Sequence, residues 1–199
     1  DDGPSTNVTP QILDILDEYD VKATFFVIGN LAEKHPDLIK RIDESGHGIG
    51  NHSYSHSYKH IYSNTTNFLN ELKTTEKVLK NILGDSYESN IIRFPGGSFG
   101  QQKASFRKAV VDNGYNYYDW NSLNGDAEGH NISKNRLIER FKAIDDSHDF
   151  TVLYDSKRQL FSIGYDIEKD NISNCYYDLL ASEARQASFI SIAKGDIEQ

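Results

Sequence analysis

The sequence predicts an α/β fold in which parallel strands alternate with helices, as a sheet or a barrel. Three observations carry that expectation. Short apolar runs alternate along the chain with longer segments of helical period. One of those runs, Ala23-Thr24-Phe25-Phe26-Val27-Ile28, is continuous and closed by Gly29, the pattern of a strand buried on both faces. The residues that carry chemistry fall just past predicted strands, where parallel α/β folds gather their functional groups.

The elements follow in order. Residues 9–20 read as a helix, with Thr9 suited to the N-cap, Pro10 to the first helical position, and Ile12, Leu13, Ile15 and Leu16 on one face. The strand at 23–28 comes next, then a helix over 36–45 stopped at Gly46, and a short strand over 48–51. A long helix is expected over 64–83, with Phe68, Leu72, Val78, Leu79 and Ile82 turned inward and Gly84 as its terminator. A strand at 91–94, a helix at 101–113 before Gly114, a strand at 115–120 and a helix at 133–144 complete the series.

Composition narrows the class. With 37% hydrophobic and 12% aromatic residues over 199 positions, the chain can pack a core and is not globally disordered. A net charge of −9 without a basic stripe argues against nucleic acid or an anionic membrane as the main partner. No apolar run is long enough to span a bilayer. Cys175 is the single cysteine, which excludes an intrachain disulfide. The chain starts on Asp1, inside what reads as a motif that a strand normally precedes, so a truncated N-terminus and a lost export signal are expected.

Asp1-Asp2-Gly3-Pro4 and, about fifty residues on, His52-Ser53-Tyr54-Ser55-His56 hold the candidate metal ligands. One carboxylate and two imidazoles, Asp2, His52 and His56, leave positions open for water and a substrate oxygen, as a catalytic zinc site requires. Cobalt, nickel or iron would suit the same donors. Asp1 is expected to point away from Asp2, because consecutive side chains of an extended segment alternate. It then serves either as general base or as a support that orients a histidine.

Four segments in order, Asp1-Asp2-Gly3-Pro4-Ser5, His52-Ser53-Tyr54-Ser55-His56, Arg93-Phe94-Pro95-Gly96-Gly97 and Asp119-Trp120-Asn121, resemble motifs of the polysaccharide deacetylases. This is the NodB-homology group, carbohydrate esterase family 4, and the likeness covers residues 1–145. The versions Arg-Phe-Pro-Gly-Gly-Ser and Asp-Trp-Asn are similar to the peptidoglycan-deacetylase-like members. The resemblance implies a distorted, incomplete (β/α) barrel and a zinc-type site that removes acetyl groups from a polysaccharide at the cell envelope or outside the cell.

Carried over by position, the resemblance makes Asp1 the base and Asp2, His52 and His56 the metal ligands. Arg93 pairs with Asp1, and the Gly96 amide helps hold the developing oxyanion. Pro95 shapes the groove wall. Trp120 suits either packing or a sugar-stacking platform. Asp119 orients a histidine acting as general acid or, on its own residues alone, caps the next loop.

The fifth motif of the family ends a strand in Leu-x-His. Here the candidate strand is 150–155, and Tyr154 stands where that histidine is expected. A phenol of ordinary pKa near 10 is a poor proton donor at neutral pH, so a metal- or glycan-binding chain without turnover is the alternative expectation. Residues 146–199 form a separate stretch. Tyr176-Tyr177-Asp178-Leu179-Leu180-Ala181-Ser182-Glu183-Ala184-Arg185 within it resembles the start of the glucoamylase-like region of cyclic β-glucan synthases. A strand or hairpin arm at 160–165 and a helix at 173–194 are expected there, the helix forming a C-terminal extension.

Overall fold

The computed structural model describes residues 1–120, 125, 132–147, 154–155, 160–161, 165–166 and 171–172. Packing divides the chain into two compact units, Asp1–Asn121 and Ser122–Gln199.

The first unit runs α1 (Thr9–Glu18), β1 (Thr24–Val27), α2 (Gly29–Lys34), α3 (Pro36–Glu44), β2 (Gly48–Asn51), α4 (Tyr58–Ile61), α5 (Thr65–Leu83), β3 (Ile91–Ile92), α6 (Ala104–Asp112) and β4 (Asn116–Tyr117). The four strands form one parallel sheet in chain order, β1-β2-β3-β4. Sequential order among parallel strands means that every crossover winds the same way, which is barrel-like rather than doubly wound. The described strands do not close, so the expected α/β class and incomplete barrel are both found.

Register places the site. Gly3, Val27, Asn51, Ile92 and Tyr117 stand in one row across the sheet. The next amides bind across it: Ile28 N–H to Gly3 O, His52 N–H to Val27 O, Arg93 N–H to Asn51 O and Tyr118 N–H to Ile92 O, at 2.9–3.0 Å. His52 and Arg93 are therefore neighbours one residue past the row, at the carboxyl ends of their strands.

Two apolar clusters back the sheet. Leu13, Ile39, Ile42, Ile49 and Leu79 belong to one, and Ile61, Phe68, Leu72, Ile92 and Phe94 to the other. Helix α5, at 19 residues, is long enough to serve both. Its first half sends Phe68 and Leu72 beneath the strand ends, and its second half sends Val78 and Leu79 into the other cluster. Phe68 stacks on Phe94 at 4.8 Å and meets Phe106 edge-on, so the chain leaving β3 rests on aromatic rings.

The departures from expectation are local. The N-cap of α1 is Val8, without a side-chain cap, and Thr9 lies inside the helix with its Oγ1 accepting from the Ser5 amide. Helix α5 has a side-chain cap that was not anticipated, the Asn64 side chain accepting from the Asn67 amide. Strand β1 is buried on both faces only at its carboxyl end; Thr24 is exposed and Phe25 half-buried. Strands β3 and β4 shrink to two residues each, because the chain past them turns into loops held by side chains. Helices α2 and α4 are too short to announce themselves by periodicity.

In the second unit, α7 spans Lys134–Ser147, with the Ser133 hydroxyl accepting from the Arg136 amide. Strands β5 (Tyr154–Asp155) and β6 (Leu160–Phe161) pair antiparallel, as do β7 (Tyr165–Asp166) and β8 (Asn171–Ile172). Tyr154 thus sits in a hairpin pair, and β6 provides the arm expected near 160. The expected helix at 173–194 lies outside the described residues. Among the described residues, no helix is long and apolar enough to cross a membrane.

Candidate metal and active site

Asp2, His52 and His56 meet as the sequence leads one to expect. One carboxylate oxygen, Asp2 Oδ1, lies 3.2 Å from Nε2 of His52 and 3.2 Å from Nε2 of His56. The three donor atoms lie within 4.8 Å of one another. Two ligand atoms bound tetrahedrally at zinc distances would be about 3.3 Å apart. The donor set and its spacing therefore fit a divalent ion.

The histidine orientations have separate causes. His52 is buried, and its Nδ1 lies 2.8 Å from the Arg93 carbonyl oxygen. Nδ1 must donate there, which fixes Nε2 as the nitrogen turned towards Asp2 and as the one available to an ion. His56 follows a turn in which Ser53 and His56 take φ of 69° and 54°, a region non-glycine residues seldom occupy. The hydrogen bond from His52 holds the Asp2 carboxyl below its ordinary pKa, against the opposing effect of burial. Burial lowers the His56 pKa, with Asp2 acting against it.

Asp1 turns to Arg93. Arg93 Nη1 donates to Asp1 Oδ1 at 2.8 Å, and Arg93 Nε donates to the Tyr118 carbonyl at 3.0 Å. The guanidinium also lies 4.2 Å over the Phe26 ring. Strand alternation explains this placement: Ile92 and Phe94 enter the core, so Arg93 faces the other way.

The loop from Pro95 to Gly100 forms one wall. Gly96 and Gly97 take φ of 68° and 77°. A Cβ at Gly96 would stand 2.8 Å from the Tyr58 hydroxyl, and one at Gly97 would meet the Phe99 and Trp120 rings. Pro95 is buried; its carbonyl accepts from Tyr62 Oη at 2.6 Å and from Lys103 Nζ at 3.3 Å. Its part in a groove is thus to place the loop, not to offer a face. Among the described residues the Gly96 amide has no internal hydrogen-bond acceptor, so it is available as a donor. Trp120 is half-buried and edge-on to the exposed Phe99 at 5.4 Å, which combines packing with a partly open ring.

Asp119 takes the loop-capping arrangement. Its Oδ1 accepts from the Ser98 amide at 2.8 Å and its Oδ2 from the Ser98 hydroxyl at 2.5 Å. Among the described residues, both oxygens are thus engaged by a serine and neither by an imidazole. Arg107 Nη1 adds bonds to the carbonyls of Ser98 and Gly100, which keeps the wall in place.

Sequence reasoning missed Glu71, Asn51 and Tyr58. Glu71 and Asn51 are buried polar residues that hold the histidine loop from α5 and β2. The signal for Glu71 was a carboxylate between Phe68 and Leu72 on the buried stripe of the helix. Tyr58 lies edge-on to His56 at 5.3 Å, and its two-residue offset from the histidine gave no sequence cue.

Residues 1–118 match the family model for polysaccharide deacetylase. The chain belongs to the polysaccharide deacetylase family. A peptidoglycan-N-acetylglucosamine deacetylase of Bacillus cereus is 36% identical over 139 residues, 68% of this chain and 50% of that protein. The fold is similar to that of a Streptococcus mutans CE4 esterase, with a TM-score of 0.65, 32% identity, and coverage of 71% of this chain and 63% of that one. It is equally similar to the catalytic domain of a peptidoglycan N-acetylglucosamine deacetylase from Eubacterium rectale, at TM-score 0.65, 32% identity, and 74% and 69% coverage. The chain spans about half the length of that Bacillus cereus relative and of a second one, 34% identical over 151 residues.

Proposed function

We propose that this chain is a metal-dependent deacetylase that removes acetyl groups from an N-acetylated glycan of the peptidoglycan or chitin type. The observation that carries the reading is the meeting of Asp2 Oδ1 with both imidazole Nε2 atoms at 3.2 Å, beside the Asp1–Arg93 pair. The substrate class rests on relatives named as peptidoglycan-N-acetylglucosamine deacetylases, and such a polymer places the reaction at the cell envelope. Zinc suits two imidazoles and one carboxylate best; cobalt, nickel and iron are the other candidates. Residues 1–145 form the deacetylase part. The stretch 146–199, with its glucan-synthase-like segment, contributes no assigned catalytic group.

An ion held by Asp2, His52 and His56 would supply Lewis-acid chemistry, polarising the acetyl carbonyl and lowering the pKa of a water. The chain's own residues do the rest. Asp1 accepts a proton from the attacking water, and the Arg93 guanidinium, donating to Oδ1, holds that carboxylate in place. As the C–O bond forms, the Gly96 amide donates to the carbonyl oxygen where negative charge develops. The C–N bond then breaks, acetate leaves, and the proton gained by Asp1 is at hand for the amine.

A second reading, a chain that binds metal or glycan without turnover, has two observations in its favour. Asp119 gives both oxygens to Ser98, and Tyr154 occupies the position at which the family resemblance calls for the acid histidine. Acetate release from an acetylated amino-sugar oligomer, with zinc or cobalt added, separates the two. Release abolished by Asp1→Asn supports the deacetylase. No release from a folded, metal-loaded chain supports the binding protein.

A further inference from the structure

Glu71 is a buried carboxylate that the proposed chemistry does not use. It lies on α5, only 7% exposed, in the apolar stripe that carries Phe68, Leu72 and Val78. A carboxylate is costly to bury unless its oxygens are bonded. Its Oε2 accepts from two successive amides, Tyr54 N–H at 2.9 Å and Ser55 N–H at 2.6 Å. Its other oxygen lies 3.6 Å from His60 Nε2. Both amides belong to the turn between His52 and His56.

That turn is held at other points as well. The Asn51 side chain donates to the Leu72 carbonyl and accepts from the Ser53 amide, and the Ser53 hydroxyl accepts from the His56 amide. At the middle of the turn, the Ser53 and Tyr54 carbonyls accept from the Gly29 and Asn30 amides, and Glu71 accepts from the Tyr54 and Ser55 amides. Two residues of the turn, Ser53 and His56, have positive φ, so the backbone does not hold this shape by intrinsic preference. Glu71 is the one side chain among the described residues that accepts from two adjacent amides of the turn.

We infer that Glu71 is a positioning residue for the metal centre: it fixes the spacing of the His52 and His56 imidazoles by tying down the backbone between them. The inference rests on the proposed metal reading of Asp2, His52 and His56. It also explains a carboxylate among the buried residues of α5, where an apolar residue would pack without desolvation cost.

The test is cobalt(II) titration of the full chain and its variants, read by visible d–d absorption and chelator competition. Glu71→Ala should bind one cobalt per folded chain about 10–100-fold more weakly, with an altered d–d band. Glu71→Gln, whose amide oxygen can accept from both N–H groups, should recover most of the affinity and the wild-type band. Glu71→Asp keeps the charge but withdraws the oxygen by one methylene, so it should bind more weakly than Glu71→Gln. This comparison decides the matter if the alanine variant does not fold by circular dichroism. Wild-type affinity and spectrum in Glu71→Asp or in folded Glu71→Ala would overturn the positioning role. A wild-type chain that takes up no cobalt would overturn the metal reading, and the positioning role with it.

Discussion

His52 Nδ1 lies 2.8 Å from the carbonyl oxygen of Arg93, forty-one positions further along the chain. The same Arg93 sends its guanidinium to Asp1 at 2.8 Å. One residue at the end of β3 thus orients a candidate ligand with its backbone and the candidate base with its side chain. The parallel register makes this double use feasible, since Asn51 and Ile92 are paired and His52 and Arg93 follow them.

The two halves of Arg93 should separate on mutation. Arg93→Ala removes the partner of Asp1 but leaves the carbonyl that orients His52. It should lower kcat/KM for acetate release by about 10²–10³-fold, within the range of a general base, while metal affinity stays near wild type. Asp1→Asn should cost as much or more, and the double variant little beyond that, because the pair acts as a unit. Fully additive losses would break the proposed pairing.

Metal removal should be read as stability as well as activity. Zinc at one hundred times its dissociation constant should stabilise the wild-type chain by about 2.7 kcal/mol, seen as a rise in Tm over the chelated protein. Asp2→Ala and His56→Ala should lose that rise. An equal rise in either variant would place the ion elsewhere.

Gly96 should resist substitution for two reasons, its φ of 68° and the Tyr58 hydroxyl 2.8 Å from where a Cβ would stand. The backbone conformation alone costs an L-residue about 1–2 kcal/mol. Gly96→Ala should therefore destabilise by at least that much in denaturant unfolding. Adding Tyr58→Ala should return the part due to collision, a coupling visible in a double-mutant cycle.

Asp119 should prove to act through the loop. Ser98→Ala removes the hydroxyl that binds Oδ2 and should cost about 1 kcal/mol of stability, leaving cobalt uptake intact. Asp119→Ala releases the Ser98 amide as well and should cost more. An Asp119→Ala chain with unchanged stability but no turnover would instead speak for a direct catalytic role.

Beneath the wall, Phe68 is fully buried and stacked on Phe94. Phe68→Ala should destabilise by about 3–5 kcal/mol, measured by denaturant unfolding. Since Phe94 adjoins Arg93, the variant should also loosen the Asp1–Arg93 pair and lower kcat/KM.

Much of this architecture was legible in the chain itself. The strand over 48–51 and the long helix stopped at Gly84 have the bounds that apolar period and terminator chemistry indicate, within a residue. That Asp2, His52 and His56 would meet was also legible, because paired carboxylates and a His-x-x-x-His spacing are local patterns tied to known donor chemistry. Strands β3 and β4 were overestimated, since an apolar run does not reveal where backbone pairing gives way to side-chain bonds at Pro95–Gly100 and Tyr118.

The sequence by itself determined the alternation of strands and helices, and with it which residues stand at strand ends with donors suited to a metal. Those features are encoded in runs of a few residues, by periodicity, caps and side-chain chemistry. Only the tertiary structure decided that Arg93 serves both His52 and Asp1, that Asp119 is engaged by Ser98, and that Glu71 reaches two amides of the histidine turn. Each of those is a contact between segments far apart in the chain. Its geometry depends on register and on the packing of α5 beneath the strand ends, which no local pattern records.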